Sequence, residues 1–216
     1  MFLSLFPLGL VAFPKEKLNL HIFEPRYQQL INECLNSESN FGIPVYVGNR
    51  IAAYGTIMQI SLLKELYEEG RMDIETEGLQ VIKLLSFVNP APDKLYAGGE
   101  VAVLLPDDSY DPLVKENLIE QVLELYRALQ MELDVDLIGS RFLSYALGHK
   151  VGLNMEQQYE MLCMETEAER QEFLLEHLFK TVPAVEAMEK NRGELTQMQE
   201  KIRLNGHYRH FDPLSF

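Results

Sequence analysis

Up to about residue 106, apolar and polar positions alternate in short runs; beyond it, apolar positions recur three and four residues apart. The first pattern predicts strands and the second helices. LSLF, KLNLHIF, FGIPVYV, YGTIMQISLL, RMDIETEGL, QVIKLLSF and EVAVLL are short, rich in apolar or β-branched residues, and bounded by Gly, Pro, Asn or Asp. LLKELYEEGRMDIETEG reads as a hairpin with its tip at Glu69 and Gly70. Pro7, Pro14 and Pro44 each lack an amide donor, which places them at edges, bulges or strand ends. Many short strands with bends predict a closed or nearly closed sheet.

One helix interrupts the strands. Pro25 suits its first position and Glu24 the residue before it. Tyr27, Leu30, Ile31, Cys34 and Leu35 then form one apolar face. LPDDSYDPL reads as a linker ending in an Asp111 N-cap and a Pro112 at the first helical position. After it, Leu118, Ile119, Val122, Leu125, Tyr126 and Leu129 make a helical stripe. Asn154 with Gln157, and Thr166 with Glu169, have capping-box spacing. Pro183 is expected to separate two helices. The last of these carries Met188, Leu195 and Ile202 at seven-residue intervals, with Gly193 as a weak point, a pattern that permits a dimer. The expected class is α+β, with a β-rich part over 1–106 and a helical part over 107–216.

Composition narrows the partners. The 216 residues are 47% hydrophobic, enough for a real core, and carry a formal net charge of -14. Phosphate backbones and anionic membranes are poor partners for such a chain, whereas basic or mixed protein segments suit it. Nothing reads as a signal peptide, because no Lys or Arg precedes the first apolar run and Pro7 and Gly9 interrupt it. No window holds the roughly 18 apolar residues of a membrane span. Cys34 and Cys163 read as free thiols. A cytoplasmic protein is expected.

Candidate chemistry is sparse. There is no phosphate-binding loop, no G-x-S-x-G, no H-E-x-x-H and no C-x-x-C. His21 with Glu24 has the groups of an acid/base pair or of two metal ligands, but a strand-to-helix corner does not hold them on one face. His207, His210 and Asp212 near the C-terminus lack a fourth ligand and read as a loosely docked tail. In NMEQQYEMLCMET, residues Met155, Tyr159, Leu162 and Cys163 share a stripe from which Met161 and Met164 point away. Those two methionines are candidates for an adaptable binding surface; the plainer reading is a helix buried on two sides. No catalytic residue, metal or cofactor is expected.

The opening LFPLGLVAFPKEKLNLHIFEPRYQQLINECL resembles the start of the Lon N-terminal domain, the substrate-binding domain of Lon proteases. The resemblance rests on Leu5, Phe6, Pro7, Leu8, Phe13, Pro14, Leu18, Leu20, His21, Ile22, Phe23, Glu24, Pro25, Arg26 and Tyr27. It continues at Gly55 and Thr56 in YGTIMQI and at Glu77 and Gly78 in ETEGLQVIKLL, over about residues 3 to 104. Two positions depart from the family pattern: Lys15 stands where Gly is frequent, and Val81 where Arg is usual. The resemblance implies a PUA-like β-barrel-type subdomain followed by a helical one. It also makes HIFEPRY a fold-defining corner, with Arg26 expected in a partly buried ion pair with Glu24 or Glu77. The chain lacks the ATPase and peptidase portions of a full Lon protease and is expected to be a free-standing Lon-domain protein.

Two functions follow as expectations. One is a non-catalytic module binding exposed or unfolded protein segments, as an adaptor or quality-control factor with a separate protease as a partner. Its surfaces would be sheet edges and a groove between barrel and helices. The alternative is a small-molecule-binding protein or hydrolase with a pocket between the subdomains, His21, Glu24, Arg26 and Tyr27 being its first suspects. RNA binding by fold analogy is disfavoured by the acidic charge.

Overall fold

The computed structural model describes the backbone of residues 1–204 and the side chains up to 197 apart from Val135. Its strands are β1 (Phe2–Leu5), β2 (Lys17–Ile22), β3 (Phe41–Val47), β4 (Arg50–Leu66), β5 (Met72–Leu84) and β6 (Ala97–Val103). Its helices are α1 (Pro25–Ser37), α2 (Pro112–Ala128), α3 (Leu143–Leu147), α4 (Met155–Cys163) and α5 (Glu167–Leu204). The expected α+β class holds, with the strands first and most of the helices after them.

Five strands close into a barrel in the order β5, β4, β3, β1, β6, with β6 returning to β5. Only β1 and β3 run parallel. The long β5 makes closure possible because it serves two neighbours along one edge. The first half of β5 pairs with β2 and its end pairs with β6. By contrast β4 pairs with β3 only up to Met58, while its ladder with β5 runs on to Leu66. Its last eight residues therefore have a neighbouring strand on one side only.

Sequence patterning splits β5 in two, but the structure has one strand. Gln80 pairs with Ile57 and Gly78 with Met58, so Leu79 is an extra residue that the ladder absorbs as a bulge. Pro44 adjoins a register shift in β3, which accommodates its missing donor.

Three apolar clusters hold these layers. Leu3, Leu5, Ile57, Ile82, Ala97 and Val101 pack together from the barrel strands. Helix α1 starts at Pro25 and buries Tyr27, Leu30, Ile31 and Cys34. These residues meet Phe41, Ile43, Met58, Met72 and Ile74, each fully buried side chain contributing roughly 1.5 to 3 kcal/mol. The third cluster joins Val11, Phe13, Val45 and Val81 of the strand-rich part to Leu118, Val122, Leu125, Leu174 and Leu178 of the helices. Val81 thus serves packing.

Pro183 does not separate two helices. It lies inside α5, which runs through it. Proline removes one ladder bond, but the preceding turns are held by Leu174, Leu178 and Val182, all buried against α2 and its neighbours. Met188 and Leu195 are 70% and 62% exposed on the same helix. The side chain of Ile202 and all of His207, His210 and Asp212 lie outside the described residues. Among the described residues no helix is long and apolar enough to cross a membrane.

The Glu-Gly segment has a steric cause. Gly78 donates to the Glu16 carbonyl at 2.9 Å and accepts from the Lys15 amide at 2.7 Å. A Cβ there would lie 2.2 Å from the Phe13 carbonyl oxygen. The turn so docked puts Lys15 at φ 69°, left-handed backbone that favours glycine. Lys15→Gly should therefore raise stability by about 0.5 to 1 kcal/mol despite the more flexible unfolded chain. Urea unfolding would measure this, and a loss of stability would contradict it.

Candidate functional site

A cleft of about 730 Å³ opens between the barrel and the helices. Pro14, Lys15, Leu79, Gln80 and Val81 form its barrel wall. Residues 104–108, which connect β6 to α2, form one side. Arg141, Phe142 and Tyr145 around the start of α3, and Leu162, Met164, Glu165 and Thr166 at the corner between α4 and α5, complete it.

Both helices that meet at the corner are capped at their starts. Asn154 accepts from the Gln157 amide at 2.9 Å and the Gln157 side chain accepts from the Asn154 amide at 3.0 Å, closing a capping box on α4. Thr166 and Glu169 make the same reciprocal pair at the start of α5. The Glu169 carboxyl is held below the usual carboxylate range chiefly by the Thr166 amide.

At the back of the cleft, where Arg170 is part of the lining, lies a buried ion pair. Glu167 is 0% exposed and Arg170 2%. The guanidinium reaches the Glu167 carboxylate at 3.0 Å, the Ser144 hydroxyl at 3.0 Å, the Met164 carbonyl at 3.0 Å and the Asp107 carbonyl at 3.4 Å. Glu167 also accepts from the Ser144 amide and hydroxyl, at 2.9 and 2.6 Å, and from Gln171 at 2.9 Å. The guanidinium lies 4.3 Å from the Tyr145 ring centroid. Burial pushes the Tyr145 phenol up, and Arg170 opposes that. Linker, α3 and the corner between α4 and α5 thus meet on one charged pair. The sequence reading missed it because Glu167 and Arg170, three apart on a helix, look like an ordinary surface pair. The one available signal was the adjacent Thr166 cap.

The rim is mixed in charge, with its cations occupied. Arg141 pairs with Asp108 at 2.7 Å and Lys15 with Glu77 at 3.1 Å. Asp107 accepts from the Ser109 amide and hydroxyl, which hold its carboxyl low. Asp107 and Glu165 make no ion pair among the described residues. Apolar Leu79, Leu104, Leu105, Phe142 and Met164 face the same space, and Leu105 is 87% exposed.

Of the two candidate methionines, Met164 lines the cleft. Met161 does not, and here the structure corrects the expectation. It is 0% exposed in the shared core because α4 is covered on more than one side, so it offers no binding surface.

The HIFEPRY residues lie elsewhere. His21 pairs with Asp73 at 2.6 Å, and the Tyr67 hydroxyl donates to the same carboxylate at 2.7 Å. Tyr67 first, then His21, holds Asp73 below its usual range. Glu24 instead takes Arg26 at 2.6 Å, with the side chains 38% and 44% exposed, while Glu77 takes Lys15. His21 and Glu24 therefore form no shared site. Tyr27 stacks on Phe6 with ring centroids 3.8 Å apart and carries the Arg26 guanidinium 4.6 Å from its centroid. Pro7, Arg26 and Tyr27 border a shallow hollow of about 420 Å³. Phe23 stays 61% exposed. Gly55 sits where a Cβ would lie 2.3 Å from the Ile43 carbonyl oxygen. None of His21, Glu24, Arg26 and Tyr27 lines the cleft. Cys34 and Cys163 are free thiols. Among the described residues no group of three or more His, Cys, Asp or Glu could hold a metal.

His149 also ties the two parts together. Its Nε2 lies 3.0 Å from the Val11 carbonyl and 3.2 Å from the Glu16 carboxylate. Glu16 raises its pKa against the opposing effect of burial. A group raised above its unfolded value of about 6.5 stabilises the fold fully below that pH and loses the contribution as pH rises through the native value. The advantage of wild type over His149→Gln in urea midpoint should shrink from about pH 6.5 upward; a pH-independent difference would contradict this. The two arginines should also differ. Arg170→Leu strands a buried carboxylate and should cost about 3 to 5 kcal/mol. Arg26→Gln removes a half-exposed pair and an exposed cation–π contact and should cost about 1 kcal/mol. Equal losses in urea unfolding would contradict both assignments.

Comparison with known proteins agrees with this architecture. A family model described as the ATP-dependent protease La (LON) substrate-binding domain matches residues 3–180. The crystal structure of the Lon N-terminal domain protein from Xanthomonas campestris is 23% identical, with a TM-score of 0.63, covering 81% of this chain and 97% of its own. The N-terminal domain of the Mycobacterium avium complex Lon protease is 16% identical, also with a TM-score of 0.63, covering 82% and 98%. At these identities the two structures share the fold. A search of curated protein sequences found no match. With most of its length matched by the family model, the chain belongs to the Lon substrate-binding domain family.

Proposed function

We propose that this protein binds exposed segments of other proteins in the cleft between barrel and helices, without catalysing a reaction on them. The observation that carries this reading is the cleft itself: open, walled by the exposed Leu105 and the half-buried Leu79, Leu104, Phe142 and Met164, and rimmed by the carboxylates of Asp107 and Glu165. An apolar wall takes side chains that a folded client hides, and the two carboxylates without an ion pair on its mixed rim favour a cationic flank. Its buried polar groups already satisfy one another, which leaves few to converge on a small molecule. The family match gives the same direction. In this reading the protein acts in the cytoplasm as an adaptor or quality-control factor, and a separate protease is one of its partners.

The test is fluorescence anisotropy with a labelled, reduced and carbamidomethylated model protein as the unfolded chain. Wild type should bind it, and Leu105→Ser with Met164→Ser should weaken binding about tenfold, the loss of about 1.4 kcal/mol. Native client should compete poorly. No binding by wild type, or equal binding by the double variant, would overturn the reading.

A further inference from the structure

Beyond Met58, the edge of β4 that β3 covers earlier in the strand has no neighbour. Residues 59–66 are exposed except for the half-buried Ile60. Such an edge presents unpaired amides and carbonyls to any extended chain.

The side chains give that edge a direction and a preference. Leu63 pairs with Ile74 and Leu66 with Met72 across the ladder, so each leucine shares a face with its partner. Ile74 and Met72 are 0% and 1% exposed beneath α1, yet Leu63 and Leu66 remain 39% and 64% exposed. The apolar face of this part of the sheet thus continues one strand further than its cover. Leu62 pairs with Glu75 on the opposite face and is 53% exposed. At the end of the strand stand Glu65, Glu68 and Glu69, against Arg71 and a Lys64 that is paired with Glu75. Glu68 and Glu69 make no ion pair among the described residues.

We propose that this edge takes a short extended segment of another protein as an added antiparallel strand, apolar on the face beside Leu63 and Leu66 and cationic at its N-terminal end. Antiparallel addition brings the N-terminus of the segment beside the end of β4, where the three glutamates lie. A second copy of this chain fits less well, since both edges would carry the same glutamates on molecules of net charge -14. Register shifts at Ile60/Leu62 and Leu63/Glu65 restrict the added ladder to a few residues, which suits brief capture over growth of a sheet. The inference rests on the segment-binding reading above and gives it a second surface with a backbone requirement.

The experiment uses the full chain and a fluorescent ten-residue peptide that alternates valine and threonine after two N-terminal lysines. Binding to wild type should weaken about tenfold with Leu63→Ser and Leu66→Ser together. N-methylating the peptide along its strand keeps its side chains and charge but removes its amide donors, and should weaken binding about as much. Glu68→Gln with Glu69→Gln should weaken binding about threefold and flatten its salt dependence. If the peptide does not bind, or binds equally after N-methylation and in the leucine variant, the edge is not the site. If the unfolded model protein still binds in that case, the cleft reading survives; if neither binds, both fall. A wild-type dimer that Leu66→Ser converts to monomer would place a second copy on the edge and also overturn the proposal.

Discussion

The guanidinium of Arg170 cannot be buried without partners, and the helical part is arranged to supply them. A lone charge at 2% exposure would cost several kcal/mol. Glu167 neutralises it, Ser144 bridges the pair, and the carbonyls of Met164 and Asp107 take the remaining donors. These groups come from α3, from the corner between α4 and α5, and from the linker after β6. Satisfying one side chain therefore fixes three segments relative to one another. The linker is fixed further where Asp107 bridges to Thr166 and accepts from the Glu167 amide. The cleft walls are those same segments, so its shape follows from the ion pair at its back.

The barrel side of the cleft depends on close backbone approach instead of charge. Gly78 lets the turn around Lys15 dock on β5, and Phe13 beside it enters the core shared with the helices. The Phe13 ring sits 5.5 Å from Tyr145 and 4.9 Å from His149. Tyr145 in turn carries Arg170 on its ring. A chain of packed groups thus runs from the Glu-Gly segment to the buried pair. Both proposed binding surfaces sit beside such rigid parts: the cleft on the charged node, and the β4 edge on the α1 core through Ile74 and Met72.

Features set by neighbours in sequence were legible. Alternation marked the strands, Asp111 with Pro112 marked the start of α2, and Asn154 with Gln157 marked α4. Features set by distant packing were not. A methionine at position 161 is equally consistent with a surface patch or a doubly covered helix until its neighbours are known. Pro183 reads as a stop, yet packing of the preceding turns carries the helix through it. Leu79 reads as a strand boundary because a bulge and a break interrupt alternation alike. Arg170 gave no sign of burial, since burial required the linker to fold back over it. Arg26 drew attention through its motif, but its pair with Glu24 is half exposed. The open edge of β4 is invisible for a related reason: the pattern of one strand does not show where the neighbouring strand ends.

Hydrogen–deuterium exchange of the full chain, with and without a saturating unfolded model protein, tests the central claim most directly. Binding in the cleft predicts slower exchange in residues 104–108 and 164–166 and around Phe142, with the α1 core unchanged. Bound client with no added protection in those segments would contradict the account.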